Sequence, residues 1–194
     1  MIAGLILAAG ESRRMGRDKA LLTYRGRTFL ETIINNLNAA GVEKITVVLG
    51  HHAETIQRAV NLSAVRVVVN HDYVRGQTSS LQLGLSAAVV DAPEAVILCL
   101  VDHPAVSADV IAKLIEQFKS THPPVLIPTY NGQHGHPVVI SQKLFPELLA
   151  LLPVEPANTV TRKYRDVTQF VEVADRGILV DVDEPRTYER LEKG

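Results

Sequence analysis

Val96-Ile97-Leu98-Cys99-Leu100-Val101 runs directly into Asp102-His103-Pro104. Six consecutive apolar residues leave no wet face, so the stretch reads as a strand covered on both sides, as in a parallel sheet sandwiched by helices. Shorter β-branched runs recur at residues 2–7, 44–49, 65–69, 125–128 and 177–182, with the central one extending over 95–101. Between them the apolar period changes to that of a helix. Leu30, Ile33, Ile34 and Leu37 share one face with Gly41 as a stop, and Val110, Ile111, Leu114, Ile115 and Phe118 share another after Ser107. Ser79 or Ser80 is placed to cap a third helix carrying Leu81, Leu85, Ala88 and Val89, and Tyr188 with Leu191 mark a fourth.

Strands alternating with helices over short connections predict an α/β fold, a three-layer α/β/α sandwich around a Rossmann-like, mostly parallel sheet. Residues 129–174 break the rhythm. They hold Gly132, Gly135, a strand-like run at 137–140, and Pro146, Pro153 and Pro156, and are expected to form a small antiparallel insertion over one end of the sheet. No repeat, low-complexity stretch or linker divides the chain, so residues 1–194 are read as one domain.

Composition narrows the function classes. With 46% hydrophobic residues and a formal net charge of −1, the chain can bury one sizeable core and has no field to attract nucleic acid or an anionic membrane. The single cysteine, Cys99, lies inside the central apolar run, which fits a reducing compartment and excludes a cysteine-rich metal site. Residues 2–7 are too short for a secretory core and no run approaches the ~20 residues of a membrane span, so a cytoplasmic protein is expected.

In a sheet of this kind ligands bind beyond the carboxyl ends of the strands. The polar residues collect there: a long loop after the first strand, Gly50-His51-His52 after the second, Asn70-His71-Asp72 after the third, and Asp102-His103-Pro104 after the fourth. The first loop reads Leu7-Ala8-Ala9-Gly10-Glu11-Ser12-Arg13-Arg14-Met15-Gly16-Arg17-Asp18-Lys19. Gly10 and Gly16 allow positive φ or a close ligand approach, while Arg13 and Lys19 can neutralise phosphate charge. It is not a dinucleotide fingerprint, since no glycine stands two positions before Gly10. Nor is it a Walker loop, since five residues separate the glycines and Lys19 comes three later.

Asp102, leaving a hydrophobic strand, suits a hard cation such as Mg²⁺, although an aspartate there can equally cap a turn. Asp181-Val182-Asp183-Glu184-Pro185 sets two carboxylates on one side of an extended segment, where they repel unless a cation intervenes; the competing reading is a strand end and helix cap. Asn70 to Leu85 contains Gly76, Ser79, Ser80 and Gly84, short donors and free amides suited to a nucleotide, although a plain helix cap explains the serines nearly as well. Gly132-Gln133-His134-Gly135-His136-Pro137-Val138 has two histidines without a third ligand at metal-site spacing. His51, His52, His71 and His122 read as surface residues.

These motifs, in this order, resemble the nucleotidyltransferases of molybdenum cofactor biosynthesis, whose opening signature is L-A-[AG]-G-x-S-x-R-M-G-x-x-K. The resemblance runs from Leu7 to Leu191 and is nearest to molybdenum cofactor cytidylyltransferase. It implies a nucleotide-diphospho-sugar transferase type of fold. It also implies that Leu7, Ala8, Ala9 and Gly10 meet the base and sugar, with Arg13, Gly16 and Lys19 on the triphosphate. Asp102 and Asp181 then match the metal ligands, Asp181 being preferred to Asp183. Gly76, Ser79, Ser80 and Gly84 match a nucleotide-contacting G-x-x-S-S-L-x-x-G-L. His136, in a run similar to G-x-x-G-H-P-V, and His103 border the acceptor. Lys19, Arg13 and Asp102 would be the catalytic set.

The reaction so implied is Mg²⁺-dependent transfer of CMP from CTP to a phosphate-bearing acceptor, molybdenum-bound molybdopterin, with release of pyrophosphate. Ala9 agrees with the Leu-Ala-Ala-Gly form seen with CTP rather than the Leu-Ala-Gly-Gly of guanylyltransferases. Two departures fall where the acceptor binds: Asp102-His103-Pro104 stands where Asp-Gln-Pro is common, and residues 154–165 lack a Gly-Asp-x-Gly-Ala-Arg segment. A sugar or polyol phosphate is therefore an alternative acceptor. A protein that carries the cofactor to a molybdenum hydroxylase client is the alternative of another class.

Overall fold

The computed structural model describes residues 1–152 and 154–193. Along the chain these are β1 (Ile2–Ala8), β2 (Thr23–Tyr24), β3 (Arg27–Thr28), α1 (Phe29–Ala39), β4 (Ile45–Leu49), α2 (Ala53–Ala59), β5 (Arg66–Val69) and α3 (Gln77–Ala88). There follow β6 (Ala95–Leu100), α4 (Ala108–Thr121), β7 (Val125–Tyr130), β8 (Gln133–His134), β9 (Val138–Ser141), α5 (Phe145–Ala150), α6 (Asn158–Lys163), β10 (Gln169–Glu172) and α7 (Pro185–Lys193). No helix among the described residues is long and apolar enough to cross a membrane.

The main sheet has the order β10-β7-β9-β6-β1-β4-β5, with β8 hydrogen-bonded to β7. β1 pairs in parallel with β4 and β6, as β4 does with β5 and β7 with β10. β9 is antiparallel to both β6 and β7. The expected α/β sandwich is present, and helices cover both faces: one core cluster holds α1, α2 and α4 residues against the sheet, the other α3 and α5. All seven residues of β1 are buried, the signature of a central parallel strand.

Local chemistry sets the helix limits. Thr28 and Glu31 form a reciprocal capping box at the start of α1, worth about 0.5–2 kcal/mol, and Leu30, Ile33, Ile34 and Leu37 are buried along its inner face. Ser107 caps α4 by accepting from the Val110 amide at 3.4 Å. Gly41, at φ +83°, follows the end of α1.

Three expectations need correction. Residues 177–182 are not a strand: a 3-10 turn at Arg176–Leu179, begun by Asp175 accepting from the Gly177 amide, is followed by extended chain. Ser79 and Ser80 do not cap α3, because the helix begins earlier, with Gly76 at the N-cap position, and both serines sit in its first turn. The antiparallel piece is not laid over one end of the sheet but inserted into it, β9 lying between β6 and β7. Pro153 lies outside the described residues.

Candidate functional site

The carboxyl ends of β1, β4 and β6 are knitted together by backbone hydrogen bonds. The Val101 amide donates to the Leu7 carbonyl at 3.1 Å and the His51 amide to that of Ala9 at 3.2 Å. Gly50 permits the second contact, since a Cβ there would stand 2.6 Å from the Ala9 oxygen. These ends form the floor of a cleft of about 370 Å³, within the range of small-molecule sites.

The long loop after β1 folds on itself so that Lys19 points inward. Ser12 takes a left-handed conformation, its carbonyl accepting from the Met15 and Gly16 amides at 3.0 and 3.2 Å. Its Oγ accepts from the Lys19 amide at 3.1 Å. Asp18 then caps the turn Lys19–Leu21 by accepting from the Ala20 amide at 3.0 Å. With Ala20 and Leu22 anchored in the core, Lys19 is 9% exposed in spite of its charge.

A buried ammonium is tolerated only with partners. Lys19 Nζ donates to Asp102 Oδ2 at 3.1 Å and to Asp183 Oδ1. Burial disfavours the charged form, but the Asp183 hydrogen bond and the Asp102 charge outweigh it and raise the Lys19 pKa. The Lys19 hydrogen bond in turn lowers Asp183, which also accepts from Arg14 at 2.7 Å. Asp181 moves the other way: desolvation, then the charges of Asp102 and Asp183, raise it.

The segment bearing these carboxylates is held by one backbone contact. The Val182 amide donates to the Asp102 carbonyl at 2.9 Å, and the Val182 side chain is fully buried. Asp102, His103 and Asp181 thereby offer ligand atoms that all lie within 4.8 Å of one another. Asp102 Oδ1 is buried and lacks a hydrogen-bond partner. A divalent cation fits that donor set, because it would satisfy the orphaned oxygen and relieve the crowding of negative charge.

A second cavity of about 480 Å³ adjoins the first and shares Gly76, Gln77 and Leu100 with it. Leu98, Ile127, Val138 and Ile140 give it an apolar floor. His136 lies on its wall, with a pKa lowered to about 4 by burial and then by the charge of His103. Burial likewise lowers His103, the two rings standing 4.8 Å apart.

Most of the residues singled out in the sequence meet here. Leu7, Ala8, Ala9, Gly10, Arg13, Lys19, Gly76, Ser80 and Asp102 line the first cleft. Asp181 and His103 reach its metal-ligand cluster, and His136 the second cavity. Three others line neither the first cleft nor the second cavity. Gly16 occupies a left-handed turn at φ +64° behind the loop, and Ser79 is spent within α3, accepting from Asn70 Nδ2 at 2.9 Å and donating to the Gly76 carbonyl at 2.8 Å. Gly84 faces the sheet, where a Cβ would come within 2.5 Å of Leu5 and Val48. Its task is helix–sheet packing, not nucleotide contact.

Other lining residues were not singled out: Ser12, Arg14, Asp18, Tyr73, Gln77 and Asp183. Arg14 stands at the arginine of the opening signature and is the one that reaches Asp183. The Arg13 side chain is 83% exposed and paired with Glu11. Tyr73 is fixed by a 3.0 Å hydrogen bond to His51, so His51 is tied to the cleft rather than free on the surface.

Residues 4–167 match the family model of the MobA-like NTP transferase domain. The chain belongs to that family. It is a nucleotidyltransferase. This MobA-like transferase is 31% identical to the nicotine blue oxidoreductase of Paenarthrobacter nicotinovorans, over 98% of its own length and 96% of the relative's. It is 26% identical to the molybdenum cofactor cytidylyltransferase of Escherichia coli K12, over 95% and 92%. Among solved structures it resembles the manganese complex of Rv0371c from Mycobacterium tuberculosis H37Rv, with a TM-score of 0.84 and 30% identity, covering 100% of this chain and 98% of that one.

Proposed function

We propose that this MobA-like transferase moves CMP from CTP to the phosphate of molybdenum-bound molybdopterin and releases pyrophosphate. The observation that carries the reading is the position of Lys19, a buried cation held by Asp102 and Asp183 in the floor of the first cleft. The cytidylyltransferase from Escherichia coli, aligned over nearly the whole chain, supports the base and acceptor. Leu-Ala-Ala-Gly at positions 7–10 supports CTP in the same sense.

The triphosphate enters the first cleft between the loop after β1 and the first turn of α3, where the Gln77 amide, at the first helical position, has no intrahelical partner. Lys19 exchanges its Asp183 contact for a phosphate oxygen and stabilises the charge that develops on the α-phosphoryl group. Arg13, unconstrained by packing, and Arg14, released from Asp183, close on the β- and γ-phosphates. A divalent cation held by Asp102 and Asp181, expected to be Mg²⁺, would neutralise phosphate charge and fix the α-phosphorus for in-line attack.

The acceptor lies in the second cavity with its phosphate toward Leu100 and Asp102. One of its oxygens forms the new bond to the α-phosphorus as the bond to the bridging oxygen of pyrophosphate breaks. No side-chain nucleophile is needed, because the acceptor phosphate is already ionised. His136, neutral above about pH 4, and the apolar floor exclude water that would otherwise compete.

Pyrophosphate release by purified protein with CTP or GTP, against molybdenum-molybdopterin and a panel of sugar and polyol phosphates, tests the reading. Release with CTP and the molybdenum cofactor is expected. Release only with a sugar phosphate would reassign the acceptor, and cofactor binding without release would identify a delivery protein for a molybdenum hydroxylase. A second reading draws on the relative named nicotine blue oxidoreductase, namely redox chemistry in the same cleft. Oxidation of a nicotinamide nucleotide by a quinonoid dye would reveal it.

A further inference from the structure

His103 replaces the glutamine common after the aspartate in the cytidylyltransferase pattern. Its surroundings give that change a chemical meaning. The residue is 9% exposed, and its Nδ1 is buried without a hydrogen-bond partner. Buried polar groups without partners are rare in folded proteins and call for an explanation. Its Nε2 stands 4.0 Å from Asp102 Oδ1, which is itself buried and unpartnered. Asp181 completes a group whose ligand atoms all lie within 4.8 Å. A buried, unpartnered carboxylate oxygen that faces a buried imidazole nitrogen, with a second carboxylate from a distant segment alongside, describes a site shaped around an ion.

The donor set is not the one Mg²⁺ selects. Magnesium takes oxygen ligands and keeps much of its water, whereas an imidazole nitrogen favours transition ions, with affinity rising from Mn²⁺ toward Co²⁺ and beyond. Resting on the assignment of Asp102 and Asp181 as metal residues, we infer that His103 Nε2 is a third ligand, making a mixed carboxylate–imidazole site that prefers a first-row transition dication to Mg²⁺. The ring's other nitrogen then needs an acceptor, as metal-bound histidines usually have one. His136, whose ring centroid is 4.8 Å away and whose Nδ1 is also unpartnered, would supply it by a small ring rotation. His136 is a positioning residue in this arrangement.

Two readouts test the inference without turnover. Calorimetric titration with Co²⁺ and with Mg²⁺ is expected to show Co²⁺ bound about tenfold or more tightly to the wild type than to His103→Gln, with Mg²⁺ affinity changed less than about twofold. Pulsed electron paramagnetic resonance of the Mn²⁺-loaded protein is expected to show nitrogen hyperfine modulation in the wild type and in His136→Gln, and none in His103→Gln. Unchanged Mg²⁺ affinity in His103→Gln also shows that the variant has kept its fold. If the wild type binds Mn²⁺ without nitrogen modulation, or His103→Gln keeps it, the inference is wrong while the carboxylate site stands. If Asp102→Asn binds Co²⁺ and Mn²⁺ as the wild type does, the carboxylate assignment falls, and this inference with it.

Discussion

Lys19 and Asp102 lie 83 positions apart, and their side chains meet at 3.1 Å in the floor of the cleft. This contact joins the loop after β1 to the turn after β6, two segments that leave neighbouring parallel strands at the same edge of the sheet. Asp183 holds the same ammonium from the opposite side. Lys19 is thus kept charged and held toward the cleft.

Removing that charge should be costly. Lys19→Met is expected to lower kcat/KM for CTP by about 10²–10³-fold, the usual loss for one preorganised donor to a developing oxyanion. The variant also leaves Asp102 and Asp183 facing each other without a cation, so thermal unfolding should move to lower temperature. Pyrophosphate release and a melting curve check both outcomes.

His136 makes stability depend on pH in mildly acid solution. Its folded pKa of about 4 lies below the ordinary 6.5, so between these values the unfolded chain binds the proton and the folded one does not. Stability therefore falls on acidification through this window, by about 1.4 kcal/mol per pH unit and about 3 kcal/mol in all. The metal-free protein should show this in urea midpoints taken between pH 7 and 4. His136→Gln should make the dependence shallower, leaving the share that comes from His103, which burial also lowers.

Gly84 separates packing from binding. Gly84→Ala forces a methyl against Leu5 and Val48 between α3 and the sheet, and should cost about 1–3 kcal/mol of stability. Its KM for CTP should remain that of the wild type. A raised KM in a variant that melts normally would return Gly84 to the nucleotide site.

Val138, on the floor of the second cavity, should govern the acceptor alone. Val138→Asn places an unpaired amide in an apolar surface and is expected to raise the acceptor KM about tenfold, a loss of roughly 1–3 kcal/mol. The KM for CTP should not change. Steady-state kinetics with each substrate varied in turn distinguishes the two.

The central strands were legible because burial on both faces leaves one pattern, a nearly unbroken apolar run, which β1 and β6 carry and β4 interrupts only with the buried Thr46. The same signal misled at 177–182. Ile178 and Val182 are fully buried, but they pack under the loops without joining a ladder, since apolarity reports burial and not hydrogen bonding. β10 escaped notice for the opposite reason. As an edge strand reading Gln-Phe-Val-Glu it buries only Val171, and a polar, half-exposed strand has little pattern to show.

Within the site, residues carrying a compact motif could be found, such as Lys19 and Asp102. The opening signature has its arginine at Arg14, not Arg13, and the sequence reading prefers Asp181 to Asp183 although neighbours in sequence carry the same charge and only the fold decides that Asp183 meets Lys19. The Val182–Asp102 backbone contact makes that decision for the aspartates.

The account stands on Asp102 and Lys19 acting together on a nucleoside triphosphate. Its most direct test is the rate of pyrophosphate release from CTP and molybdenum-molybdopterin by Asp102→Asn beside the wild type, both at saturating Mg²⁺. A loss of about 10²-fold or more, in a variant that melts with the wild type, is the expected result. Undiminished release would contradict it.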